Sequence, residues 1–545
     1  MHAFSFAMEK NDYAKILAIA LVLALSFVLI EKPNIESGVP LHSDSYDNIA
    51  AVQQVLKQGT IFIGDPFAPS SEKSQFHSGK KNFDLETGYV FILTFFSIIP
   101  GIDPLDLPIF FPWISSLLLF FTTFLLTKKL CRDEFSAFFA SLCVFLIPST
   151  QQMLGPLFLV ASSLGLALLP LLIYSGIEYF SEKKFQKIAP VFFIISFFIY
   201  PPAVAVGVFV LLIFLAFNIT LIEKNKRKWP FIAIVGIAAW IMYTLFLASS
   251  FGIDAFGNLL KDFFGTVFFG TFFGIDFVAF KTNALSQTPF LDSYLGLPLF
   301  ILCALSVLYF FWKQIYSKPQ NGELNLIFAS AIIFSAIAFL GVQFGRGFFI
   351  PTERMVMFAS YFLLLSFGFF LAEITIILKL FFIRKNFFSE KHSNFFFSFL
   401  VLILCAAIIL SEPADIGGLE RNFSQEEFDG INWINENTSE NDLIFAAPYI
   451  SKPIRVFTGR NIACTSTTRF GCSPEQNLLV SSTFFASCLD KQKILTEIFK
   501  ADYFFVQKKL ELQSETILFP KQNCSFLKQV FEGNNVIVYK IERTN

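Results

Sequence analysis

Long apolar runs in this chain alternate with short basic loops, and that alternation limits its fold more than any other feature. The runs cover residues 13–30, 107–127, 135–148, 153–173, 188–200, 203–222, 231–249, 294–312, 326–342, 356–378 and 395–410. A spanning helix needs about 20 apolar residues. The chain supplies them repeatedly, because 54% of its 545 residues are hydrophobic and only 15% are charged. A soluble domain needs far less apolar surface. The net charge of -1 leaves no basic footprint for nucleic acid.

Lysine and arginine set the orientation. They cluster at Lys128, Lys129 and Arg132; at Lys183, Lys184 and Lys187; at Lys224, Lys226, Arg227 and Lys228; at Lys313 and Lys318; and at Arg384, Lys385 and Lys391. Two apolar runs separate each cluster from the next. The positive-inside rule therefore places all these loops in the cytoplasm together, along with Lys10 and Lys15. The run 89–99 is too short to span, and a span there would invert every later loop. It is expected to lie at the outer surface. The result is a polytopic α-helical membrane protein of about eleven spans, with residues 31–106 and everything after 411 outside. No small-x-small cleavage site follows the first run, so it reads as a retained signal anchor.

From Glu412 the apolar runs shorten to strand length. Ser424 and Glu427 form a capping-box pattern ahead of Phe428, Ile431 and Ile434 at helical spacing. Strands are expected over 442–447, 455–459, 502–508 and 535–542, with a helix over about 491–500. This gives two domains: residues 1–411 in the membrane, and an exterior α/β domain over 412–545. Cys464, Cys472, Cys488 and Cys524 permit two disulfides there. A zinc site is the rival reading, weakened by the lack of CxxC spacing and of any histidine after His392. Sequons at Asn422, Asn437 and Asn523 fall on the same side.

The stretch LHSDSYDNIAAVQQVLKQG, residues 41–59, lies just outside the first span. Asp44 and Asp47 are three residues apart and share a face if the helix starts at Asp44. Capping is the plain reading, since Ser43 or Asp44 suits an N-cap and acids favour a first turn. The two roles are compatible.

The layout resembles the GT-C glycosyltransferases: oligosaccharyltransferase catalytic subunits, protein O-mannosyltransferases and the aminoarabinose transferase of lipid A. Asp44-Ser45-Tyr46-Asp47-Asn48 stands where archaeal and bacterial members carry D-x-Y-Y-H, and Gly59 closes the helix. GYVFILTFFSIIPGIDPLDLPIFF is similar to the family's surface helix, turn and entry to the second span. PTERMVMF, residues 351–358, is similar to a P-x-R-F segment whose arginine helps hold the lipid phosphate. Asp47 and Asn48 depart from the motif. The turn PSTQQMLGP lacks the second acid found in many members, and only Trp433 stands where oligosaccharyltransferases carry WWDYG.

The resemblance implies transfer of a hexosyl or pentosyl group from a polyprenyl-phosphate-linked donor to an envelope protein, lipid or glycan at the exterior face. Asp44 is then the catalytic base, with Asp47 beside it. Arg354 and Arg346 face the leaving phosphate, and His42, Tyr46, Asp84 and Glu86 touch substrate. The reaction either uses a Mg2+ or Mn2+ ion held by Asp44 or runs without metal. Plainer readings stand beside these: Arg354 paired with Glu353 or snorkelling to headgroups, and Asp84 capping the surface helix. The Phe-Phe-Gly repeats over 263–274 suit an interfacial belt or a lipid groove, and Asp254, Asp262 or Asp276 nearby could supply the missing acid. Two other classes stay open: a flippase or transporter for a lipid-linked precursor, and a non-catalytic scaffold of the same architecture. The enzyme reading expects Asp44 and Arg354 to line one exterior cavity.

Overall fold

The computed structural model describes residues 19–37, 39–60, 66–67, 86–149, 155–181, 188–217, 295, 297–316, 325–344, 352–384, 425–465, 472, 474–512, 515–518 and 523–543. The expected spans at 231–249 and 395–410, the loop 251–291, Asp84, Arg346 and Asn422 lie outside the described residues. The chain divides into two compact units. One comprises Met1–Glu36 and Ile109–Gly418; the other joins Ser37–Pro108 to Leu419–Asn545.

In chain order the first helices are α1 Lys32–Ser37, α2 Ser43–Gln58, α3 Thr87–Ile98, α4 Leu107–Cys131 and α5 Glu134–Leu142. Then come α6 Ala161–Ser181, α7 Ile188–Ile199, α8 Pro201–Phe217, α9 Leu297–Tyr316, α10 Asn325–Phe344 and α11 Thr352–Arg384. The C-terminal part adds α12 Gln425–Asn437, α13 Pro448–Thr458, α14 Pro474–Thr483 and α15 Cys488–Gln492. Its strands are β1 Leu443–Phe445, β2 Asn461–Ile462, β3 Tyr503–Gln507, β4 Lys509–Leu512, β5 Glu515–Leu518, β6 Leu527–Glu532 and β7 Val536–Ile541.

The apolar runs that the structure describes become helical over most of their length, as the hydropathy pattern predicts. Among the described residues, Pro104–Cys131, Ala161–Ser181 and Arg354–Leu378 are each long and apolar enough to cross a membrane, and shorter apolar helices accompany them. The chain is a polytopic helical membrane protein. One boundary differs. The run expected over 153–173 turns helical only at Ala161 and continues to Ser181. Ser163 Oγ donates to the carbonyls of Gly155 (2.7 Å) and Phe158 (3.0 Å), which holds residues 155–160 as a turn. At the other end, buried Glu178 is tolerated because Lys129 Nζ lies 2.7 Å away.

Polar side chains bind the membrane helices to one another. Thr122 of α4 donates to the Ala167 carbonyl of α6 at 2.7 Å, and Thr123 shares a 3.3 Å hydrogen bond with Tyr361 of α11. Stacked rings fill the space between helices: Phe310 on Phe328 at 4.1 Å, and Phe334 on Phe362 at 5.3 Å. Glu373, inside an expected span, pairs with Lys313 in the last turn of α9. On α9, Leu305, Leu308, Phe311 and Trp312 remain exposed, as a lipid-facing stripe requires.

In the second unit a five-stranded sheet runs β2-β1-β3-β7-β6, and β4 pairs with β5. β1 is parallel to both β2 and β3, whereas β7 is antiparallel to β3 and β6. β1 and β3 are buried along their whole length, as central strands covered on both faces are. The expected strand over 455–459 is instead the last turn of α13. Pro448 starts that helix and Gly459 (φ 70°) ends it. Its β-branched and aromatic content suggested a strand, but burial against α2 and α12 decides for the helix. Cys464 bonds Cys472, and Cys488 bonds Cys524. α3 belongs to this unit. It buries Tyr89, Val90, Leu93 and Thr94 and exposes Phe91, Phe95 and Ile98.

Helix α11 approaches α5 most closely at Gly368, where an added Cβ would sit 2.4 Å from the Ala140 Cα. Backbone cannot yield as a side chain can. Gly368→Ala should therefore destabilise the membrane unit by about 1–3 kcal/mol. At Gly207 the nearest atom to such a Cβ is Leu169 Cδ1 at 3.5 Å, so Gly207→Ala should be neutral or stabilising. Thermal unfolding of the two variants in detergent checks the contrast.

Candidate functional site

Helix α2 carries the candidate acids. Its N-cap is neither Ser43 nor Asp44 but His42, whose Nδ1 accepts the Asp44 N–H at 3.1 Å. Histidine is an uncommon cap. Because it takes that role, the Asp44 carboxylate is left out of the capping bonds. It is about one-third exposed, with Oδ2 3.9 Å from His42 Nδ1. Among the described residues it accepts no hydrogen bond. The Asp44 carbonyl receives Asn48 Nδ2 at 3.0 Å, and Gly59 (φ 67°) closes the helix. Only a residue that tolerates the left-handed region ends a helix this way without strain.

Asp47 has a different setting. It is fully buried, with Lys452 Nζ 2.8 Å from Oδ1 and 2.9 Å from Oδ2, and Lys452 is equally buried. Sequence spacing put the two aspartates on one helix face. The structure gives one to solvent and the other to an ion pair with α13.

Tyr46 is also core. Its hydroxyl donates to the Pro40 carbonyl at 3.3 Å and its ring meets Phe457 edge-on at 6.2 Å. Burial pushes its phenol well above the usual range. Glu86 stands at the N-cap position of α3 without a capping side-chain bond. Arg354 lies in the first turn of α11 and in the membrane unit, whereas Asp44 lies in the other. Its Nη1 is a buried donor with no hydrogen-bond partner in the described structure.

Neither a sequence-family model nor a curated relative matches the chain. Solved structures do. An oligosaccharyltransferase of Archaeoglobus fulgidus, crystallised with zinc and sulfate, superposes with a TM-score of 0.56 at 14% identity, covering 90% of this chain and 68% of that one. ArnT from Cupriavidus metallidurans bound to undecaprenyl phosphate gives 0.53 at 9% identity, over 97% and 98% of the two chains, and its apo form gives 0.51. Both are GT-C proteins. The fold of this chain is GT-C.

The zinc in the archaeal structure raises the question of a metal in this chain. Among the described residues no three His, Cys, Asp or Glu side chains come together. His42 and Asp44 offer two donors at most, and the His42 Nδ1 lone pair already faces the Asp44 N–H. That set does not by itself fit a divalent ion.

Two residues escaped the sequence reading. Lys452 sits in a segment read as a loop before a strand, and no local signal marked it as buried. Glu31 follows the first apolar run directly, which is a visible signal. It ends a π-helical turn, Phe27–Glu31, is 4% exposed, and its Oε2 has no hydrogen-bond partner among the described residues. One turn on, Asn34 donates to the carbonyls of Ile30 (2.8 Å) and Leu157 (3.2 Å), fixing this end of the helix. Burial pushes the Glu31 carboxyl from 4.5 up to about 7.

The folded chain therefore keeps a proton on Glu31 that the unfolded chain gives up above about 4.5. The stability this contributes is full below that pH and lost as the pH rises through about 7. Melting temperatures measured across this window should decline more steeply for the wild type than for Glu31→Gln.

Proposed function

We propose that this chain is an integral-membrane glycosyltransferase that moves a sugar from a polyprenyl-phosphate-linked donor to an envelope acceptor at the exterior face. The observation that carries this reading is the Asp44 carboxylate. It stands in the first turn of α2, excluded from capping by His42, partly solvent-exposed and, among the described residues, accepting no hydrogen bond. The GT-C fold and the undecaprenyl phosphate bound by the similar ArnT support the donor class.

The chemistry is displacement at an anomeric carbon. An acceptor hydroxyl oxygen attacks that carbon, the bond from carbon to phosphate oxygen breaks, and the sugar passes to the acceptor. Asp44 takes the hydroxyl proton as the new bond forms. The departing polyprenyl phosphate carries the negative charge. Arg354 is assigned to that charge. A buried guanidinium nitrogen without a partner is costly, and phosphate oxygens suit its planar fork. The N-terminus of α11 adds backbone donors in the same first turn.

Transfer from defined polyprenyl-phosphate sugars by the full chain in nanodiscs tests the assignment. Asp44→Asn should lower kcat by roughly 10²–10⁴-fold, the usual contribution of a positioned base. Arg354→Gln should weaken binding of the polyprenyl phosphate itself, with Arg354→Lys intermediate. Undiminished transfer by a folded Asp44→Asn protein would overturn the role of Asp44, and donor translocation without transfer would favour a flippase.

A further inference from the structure

Helix α13 of the C-terminal domain lies against helix α2. Tyr46 meets Phe457, Gln53 Nε2 donates to the Val456 carbonyl at 3.1 Å, and Lys452 reaches Asp47. Both charges are about 1% exposed, and Lys452 Nζ also lies 6.0 Å from the centre of the Phe67 ring. A buried ion pair is a poor device for stability, because an apolar pair of similar volume often does as well or better. It is a good device for register, because only one arrangement of the two helices brings the charges together.

We infer that Lys452 is a positioning residue: through Asp47 it fixes the rotation and height of α2, and so the placement of the Asp44 carboxylate one turn away. This rests on the transferase reading above. The C-terminal domain would thus act on the reaction without touching substrate. A rotation of α2 by one residue swings a side chain about 100° around the helix axis, and a misplacement near 1 Å costs on the order of 10²-fold in rate.

The test uses the full chain in nanodiscs with three variants: Lys452→Met, Lys452→Arg, and Asp47→Leu combined with Lys452→Met. The readouts are kcat, donor KM and amide hydrogen exchange over residues 43–58. Lys452→Met should lower kcat roughly ten- to hundredfold while donor KM stays within about twofold, and α2 amides should exchange faster. Lys452→Arg, which keeps the charge, should recover most of kcat. The double variant restores a neutral packed core and guards against misfolding of the single one, yet it should stay slow.

Wild-type kcat in folded Lys452→Met or in the double variant overturns the proposal. So does a loss of activity that only tracks the fraction of folded protein. If the wild type itself transfers no sugar, the transferase reading fails separately. Hydrogen exchange then decides the clamp alone, and unchanged exchange over α2 in a folded variant refutes it.

Discussion

In hydrocarbon, a backbone N–H or C=O without a partner costs several kcal/mol, so a chain that crosses a bilayer must satisfy its backbone within each segment. That requirement makes the apolar runs helices and moves turns to the surface. It also governs the polar groups left among the helices. Thr122 gives its hydroxyl to a neighbouring carbonyl, Thr123 shares a hydrogen bond with Tyr361, and Glu178 and Glu373 meet lysines in the last turns of α4 and α9. With little hydrophobic force between helices in lipid, close approach at Gly368 and ring stacking between phenylalanines bind the membrane unit.

The second unit is organised around a five-stranded sheet. Its sheet buries β1 and β3 completely, and disulfides close two of its loops. It also takes in residues 37–108, which leave the membrane segment of the chain and return to it. The reason is visible on α2. Its buried side presents Tyr46, Asp47 and Gln53, each with a partner on α13. The candidate acid and the C-terminal domain thus belong to one folded body.

The N-terminus of α2 shows how one residue type changes the meaning of another. Had Asp44 itself capped the helix, its carboxylate would have been an ordinary structural group. His42 supplies the cap through Nδ1, and the Asp44 carboxylate takes no part in the capping bonds. Glu31 is a second acid outside the capping economy, kept neutral by burial up to about pH 7.

Much of this was legible in the residues. Run length gave the helical membrane fold, because hydropathy acts locally and each span satisfies itself. The central strands of the C-terminal sheet showed in the runs LIF, YFFVQ and VIVYKI, and Gly59 marked the end of α2. Other features depend on contacts between residues hundreds of positions apart. Sequence spacing placed Asp44 and Asp47 together, and only packing against α13 buried one of them beside Lys452, 405 residues away. The same packing made a helix of the segment ending in RVFTG, against its local strand character. Local composition fixes which segments are helical and which are apolar. Which polar groups are sealed in and which stay free is decided only when the segments meet, because burial is a property of neighbours and not of sequence.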